Sequence, residues 1–270
     1  MDSHIQLPNG VLKHFRSNEP RASGRVYYLD LNDGCIHLSG SKRLGTETGY
    51  YSEEIESYLN KEIETPFTSL AAKVRSFAEK DLDTLVLDVT VEETLKRYIV
   101  AAMARSKLAL NSLMKKSVTA QFMSMQANHD DLVLISTLGN HGLIPLLQSH
   151  KMLVLVNRTD RQFVVPRNCF YTVHSQGYSC IVAPISPICA LELVPEKYSG
   201  NVINGEEYRF GYIDDPNIIS EMNKQALRYE YSFNQTFVAS ASRYELEKLK
   251  TYLETNREYL ESLKASSNNS

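Results

Sequence analysis

KMLVLVNRTDRQFVVP, Lys151 to Pro166, reads as two strands around a polar turn, and it decides the fold class of this 270-residue chain. YSCIVAPIS, from Tyr178, follows as a buried strand, and CALELVP, from Cys189, as another with apolar and polar positions partly alternating. Strands close in sequence most often pair antiparallel. The second half of the chain is therefore expected to form an antiparallel sheet.

Towards the N-terminus, GRVYYLDLNDGCIHLSG, Gly24 to Gly40, is the clearest hairpin, because Asp33 and Gly34 tolerate the positive φ of a tight turn. The stretch between hairpin and sheet has helical spacing. Ile55, Leu59 and Ile63 recur every four residues, and Phe67, Leu70, Val74 and Phe77 continue beyond Pro66, which marks a break or a new first turn. TVEETLKRYIVAAMARSKLALNSL starts a long helix with Thr90 as N-cap and Glu92 and Glu93 in the first turn, where the helix dipole favours acids. Leu95, Tyr98, Ala102, Arg105 and Ala109 fall on one side of it. Helical character is expected to persist to Asn128 with a break near Ser117, and GNHGLIPLLQSH adds a short helix.

Pro216 to Ser232 reads as a helix with Ile219, Met222 and Ala226 inward, and FVASAS, from Phe237, as a last strand or a turn. A charged helix, Tyr244 to Leu263, carries Leu246, Leu249, Leu253 and Leu260, either docked or as half of a coiled-coil pair that would join two copies of the chain. Residues 265–270, ASSNNS, are too small and polar to fold and are expected to be disordered. No repeat or long linker interrupts the chain. The expectation is a single α+β domain over residues 1–264: an N-terminal β-hairpin, a central helical layer, an antiparallel sheet and a C-terminal amphipathic helix.

At 43% apolar residues the chain has enough for a core. Its 29 basic and 32 acidic residues are interspersed, so net charge does not indicate nucleic acid, although a local basic groove stays open. No apolar run approaches the ~20 residues of a membrane span, and MDSHIQLPNG lacks a cationic head before an apolar run. A cytoplasmic protein without a membrane partner is expected. Cys35, Cys169, Cys180 and Cys189 form no CxxC pair and read as small buried hydrophobes, with no metal or cofactor expected.

Phosphate-loop, dinucleotide, nucleophile-elbow, zinc-protease and calcium-loop signatures are all missing. Histidines at 4, 14, 37, 129, 141, 150 and 174 show no ligand spacing. His141, between Asn140 and Gly142, could be exposed in a turn for proton transfer. The acid pairs Asp130-Asp131, Glu206-Glu207 and Asp214-Asp215 read as solvated loop charges. Arg105 stands out, because a guanidinium on the Tyr98 and Ala102 face needs an acid or an anionic ligand. An internal ion pair, for instance with Glu64, meets that need, and so does a clamp for phosphate or carboxylate.

Several of these patterns, in order along nearly the whole chain, resemble the bacterial family filed as domain of unknown function 4238. LPNGVLKHF, Leu7 to Phe15, is similar to the family's HxVPxxYLxxF start from its valine onward, while His4 stands four residues before Pro8 where the pattern has three. The hairpin with Asp30 and Gly34, IETP at Ile63 to Pro66, ARSKLAL, APISP at Ala183 to Pro187, and NKQALRYEYS at Asn223 to Ser232 resemble further family segments. FVVPRNCF, Phe163 to Phe170, aligns with the family's FITSDNPV: Asn168 stays, but Val165, Pro166, Arg167 and Cys169 replace threonine, serine, aspartate and proline. Without the aspartate, the PRN segment reads as a bend bordering a pocket rather than a reactive turn.

The resemblance implies no assigned activity. It leaves an interaction or regulatory protein with an unidentified protein partner, linked to mobile-element or phage defence. The competing reading is a hydrolase or nuclease in which His4, Glu64, Arg105 and Asn168 converge on a phosphodiester or other anionic substrate.

Overall fold

The computed structural model describes residues 2–4, 7–48, 52–80, 85, 87, 90–105, 147–175, 177–198, 210–233 and 235–269. The expected helical continuation beyond Arg105, the helix within GNHGLIPLLQSH, His129, His141, and the pairs Asp130-Asp131 and Glu206-Glu207 lie outside the described residues.

The hairpin forms as its turn chemistry requires. Strands β2 (Arg25–Asp30) and β3 (Ile36–Gly40) pair antiparallel with Tyr28 opposite His37, and Gly34 takes φ 69 while its N–H donates to the Asp30 carbonyl at 2.9 Å. Near the N-terminus a separate pair joins β1 (Asp2–His4) to β4 (Thr46–Thr48). The free edge of β2 takes β11 (Phe237–Ser240), so FVAS is a strand, and β11 in turn takes β6 (Val165–Pro166). These four strands form one antiparallel sheet in the order β3-β2-β11-β6.

The second sheet has the order β10-β5-β9-β8-β7, built from β5 (His150–Asn157), β7 (Tyr171–Ser175), β8 (Tyr178–Ser186), β9 (Cys189–Pro195) and β10 (Phe210–Ile213). It is antiparallel from β5 to β7, but β10 pairs parallel with β5. Strand β10 runs opposite to β9, as a chain reversing direction must, yet it settles beyond β5, which also runs opposite to β9. Two strands opposed to the same neighbour are parallel to each other.

The two runs within Lys151–Pro166 also part company. The first is β5, but the second is a strand only at its last two residues and joins the other sheet. Its extended approach is held by side chains. Arg161 makes two parallel 2.7 Å hydrogen bonds to Glu245, and Asn223 accepts from the Val164 N–H at 3.0 Å while donating to the Gln162 carbonyl at 2.8 Å.

Helices cover both faces of the five-stranded sheet. On one side lie α1 (Asn9–Leu12), α2 (Glu53–Tyr58), α3 (Thr65–Lys80) and α4 (Val91–Arg105), whose apolar residues share a core with Met152, Val154 and Val156 of β5. On the other lie α5 (Pro216–Ser232), α6 (Arg243–Thr255) and α7 (Arg257–Asn269), packed with Leu155 and the four-stranded sheet. The alternation along β5 follows from the two-residue period of a strand. Gly10 in α1 sits so close to α3 that a Cβ there would lie 2.3 Å from Thr68 Cγ2.

Of the two readings of Pro66, the new first turn is the one observed. A π-helical turn, Leu59–Glu64, joins α2 to α3, with Pro66 the second residue of α3. The reason lies in Ile55, Leu59, Ile63 and Phe67, which are all buried at four-residue intervals. A 3.6-residue turn lets that spacing drift round the helix, and a wider turn keeps it in line.

The expected single C-terminal helix is two helices. Asn256 interrupts it with φ −119, its side-chain amide donating to the Tyr252 carbonyl at 2.9 Å. Both helices are docked: Leu246, Leu249, Leu253 and Leu260 are buried in the second core. Helix α7 runs to Asn269, and Ser266 Oγ donates to the Ser262 carbonyl at 2.9 Å.

Candidate functional site: a buried polar cluster and a basic groove

The turn within FVVPRNCF faces inward. Arg167 N–H donates to the Phe237 carbonyl at 3.2 Å, and Cys169 N–H closes the turn on the Pro166 carbonyl at 2.9 Å. Closing it places Cys169 at φ 59, among the described residues the one non-glycine with positive φ. An L-residue there is disfavoured by roughly 1–2 kcal/mol. Asn168 and Cys169 are each 1% exposed, so the turn's polar groups need protein partners. The Asn168 N–H finds one in Glu230 Oε1 of α5, at 3.2 Å.

Across the turn stands α4. Arg105 Nη2 donates to Glu64 Oε1 at 2.7 Å, with the arginine side chain 2% exposed and the glutamate 20%. The π-helical turn delivers Glu64 to this meeting, and the predicted ion pair is formed. Tyr98, two helical turns back on α4, stacks on Phe67 with ring planes 7° apart, and its hydroxyl lies beside the Cys169 thiol.

Burial dominates the electrostatics. It pushes the Cys169 thiol up to about 12, against the opposing pull of the Tyr98 hydrogen bond and the Arg105 charge. It also raises the Glu230 carboxyl from 4.5 to about 8, offset by the Asn168 N–H and the Arg167 guanidinium. The thiol is therefore held neutral at pH 7, which makes Cys169 a poor nucleophile. Glu230 is mostly protonated there. Asn168 Nδ2 and Oδ1 and Glu230 Oε2 are buried without a hydrogen bond of normal geometry.

Of the residues singled out in sequence, Glu64 and Arg105 meet directly, and Asn168 adjoins Cys169, whose thiol senses both charges. His4 stands on β1 in register with Thr46 of β4. Sequence reasoning missed Cys169 as a member of this cluster, and Glu230. The signal for Glu230 existed: it continues the inward face of Ile219, Met222 and Ala226, so an acid stood on an apolar stripe just as Arg105 does on α4.

A different site opens on the surface. A groove of about 870 Å³ is lined by Lys13, His14 and Arg16 at the end of α1, by Arg75 and Glu79 of α3, and by Ser186 at the β8-β9 turn, among others. Arg16 donates to Ser41 Oγ at 2.8 Å, and Arg75 Nη1 pairs with Glu79 at 3.0 Å. His14 is lowered from 6.5 to about 4, first by burial, then by the charges of Arg75, Lys13 and Arg16. Cations thus outweigh acids around that imidazole.

Among the described residues no group of three or more His, Cys, Asp or Glu side chains is placed to hold a metal ion, and no helix is long and apolar enough to cross a membrane. The fold defines an α+β chain with a five-stranded and a four-stranded sheet, helices covering both faces of the former. Comparison with protein-family models, curated proteins and solved structures found no match.

Proposed function

We propose that this chain is a regulatory or interaction protein that recognises a compact anionic group in the groove formed by Lys13, His14, Arg16 and Arg75. The groove carries the reading: its 870 Å³ is in the range of small-ligand sites, and its cations exceed its acids. The buried cluster then serves architecture, tying α4, the FVVPRNCF turn and α5 together. A bacterial cytoplasmic setting and a link to mobile-element or phage defence belong to the same proposal, the setting taken from the resemblance to domain of unknown function 4238. Calorimetric titration with inorganic phosphate and with a mononucleotide tests the reading. Millimolar or tighter binding, lost at least tenfold in Arg75→Glu, supports it, and no heat with either ligand removes it.

One observation favours a second reading, hydrolysis of a phosphodiester or other anionic substrate. The strained Cys169 backbone, the perturbed Glu230 and the Glu64–Arg105 pair gather at one place, as at many active sites. Incubation with DNA, RNA and nucleotides, with and without divalent metal, tests it by comparing the parent with Arg105→Ala. Turnover in the parent and not in the variant supports hydrolysis. Equal turnover removes Arg105 from the mechanism.

A further inference from the structure

We infer that the groove is a phosphate-type oxyanion site in which His14 takes up a proton as the anion binds, so that occupancy is coupled to pH. This rests on the groove reading proposed above. His14 lies half-buried on the 3-10 turn Lys13–Phe15 and lines the groove. Every neighbouring element contributes charge or polarity. Its own segment supplies Lys13 and Arg16, and α3 supplies Arg75 with its partner Glu79. The following turn supplies Glu19, whose Oε2 already accepts from the Tyr27 hydroxyl at 2.7 Å. The β8-β9 turn supplies Ser186, whose Oγ is engaged with the Cys189 thiol at 3.0 Å, and that thiol is itself neutral. Ser242, leading into α6, adds a hydroxyl that makes no cap bond to its own helix.

Three cations and a neutral imidazole around one open space suit a tetrahedral oxyanion, which accepts from several directions at once. Burial first, and then the charges of Arg75, Lys13 and Arg16, hold His14 unprotonated at neutral pH. A bound anion opposes the charge part of that effect. One negative charge about 4 Å from the ring, at an effective dielectric of about 20, multiplies the proton affinity of the imidazole about a thousandfold. That is enough to bring its titration from the acid range to near neutrality. The imidazolium then becomes an added donor to the anion, and affinity rises as pH falls from 7 towards 5, by up to about tenfold per unit.

The probe is sulfate, which does not titrate in this range, so any proton taken up belongs to the protein. The full chain is titrated with sulfate at pH 6 in two cationic buffers of unlike ionisation enthalpy, and the apparent enthalpies are compared. The expected result is uptake of close to one proton per sulfate, abolished in His14→Gln. In parallel, the His14 ring resonances of the parent are followed by NMR, and sulfate is expected to move them to the protonated position at pH 6. Sulfate binding with no proton uptake and no ring shift overturns the coupling while the groove reading stands. Absence of sulfate binding overturns the oxyanion coupling, and with inorganic phosphate and the mononucleotide also silent the groove reading falls with it.

Discussion

The backbone N–H of Asn168 donates to Oε1 of Glu230 at 3.2 Å, joining a turn and a helix that lie 62 residues apart in sequence. That contact anchors a carboxyl with no exposed surface, and burial sets its titration near 8.

The consequence is a pH-dependent stability of defined sign. With its folded value raised above 4.5, Glu230 keeps its proton in the fold while the unfolded chain gives it up. Its contribution is complete below pH 4.5, falls as pH rises, and is gone by about pH 8. Glu230→Gln, neutral throughout, is expected to flatten the profile between pH 5 and 8 by up to a few kcal/mol, one pH unit being worth about 1.4 kcal/mol. Urea unfolding at both pH values measures this, and profiles of equal slope would refute it.

Arg105 and Glu64 form a pair whose halves depend on each other. Removing the guanidinium in Arg105→Met leaves Glu64 facing an apolar surface and is expected to cost about 3 kcal/mol, the lower end for broken buried pairs because Glu64 is partly exposed. The double variant with Glu64→Gln should lose less than the sum of the two single losses. A double-mutant cycle by chemical denaturation decides it, with strict additivity as the contrary result.

At Cys169 the usual ranking of small residues should invert. Glycine in place of alanine ordinarily destabilises, yet at φ 59 the alanine carries the steric cost of the left-handed region. Cys169→Gly is expected to be at least as stable as Cys169→Ala, by up to about 1 kcal/mol. Thermal unfolding of the two variants is the comparison, and a clearly more stable alanine variant would contradict the turn geometry.

Thiol labelling separates the four cysteines. Cys35 is exposed, whereas Cys169, Cys180 and Cys189 are buried and pushed up to about 12. A disulfide reagent at pH 8 should therefore modify one thiol rapidly in the folded chain and all four after denaturation. Rapid reaction of a second thiol would show that one of these sites opens.

Much of the local structure was legible because local chemistry dictates it. Asp33-Gly34 fixed the hairpin, Pro216 opened α5, and the spacing from Leu95 to Arg105 identified a buried arginine that needed an acid. The four-residue repeat at Ile55, Leu59 and Ile63 was visible too, although its meaning, a π-helical turn, was not. The basic groove was far less legible, since His14, Arg16 and Arg75 come from elements that composition shows only as scattered charges.

By itself the sequence determined the elements and several of their inward faces, because turn residues and apolar periodicity act over a few positions. Only the tertiary structure decided where Val165 and Pro166 pair, that β10 lies parallel beyond β5, and that Glu230 supplies a carboxyl at the Asn168 turn. Those outcomes depend on partners tens of residues away. They are chosen by which surfaces can be buried together with their polar groups satisfied, a property of the packed whole.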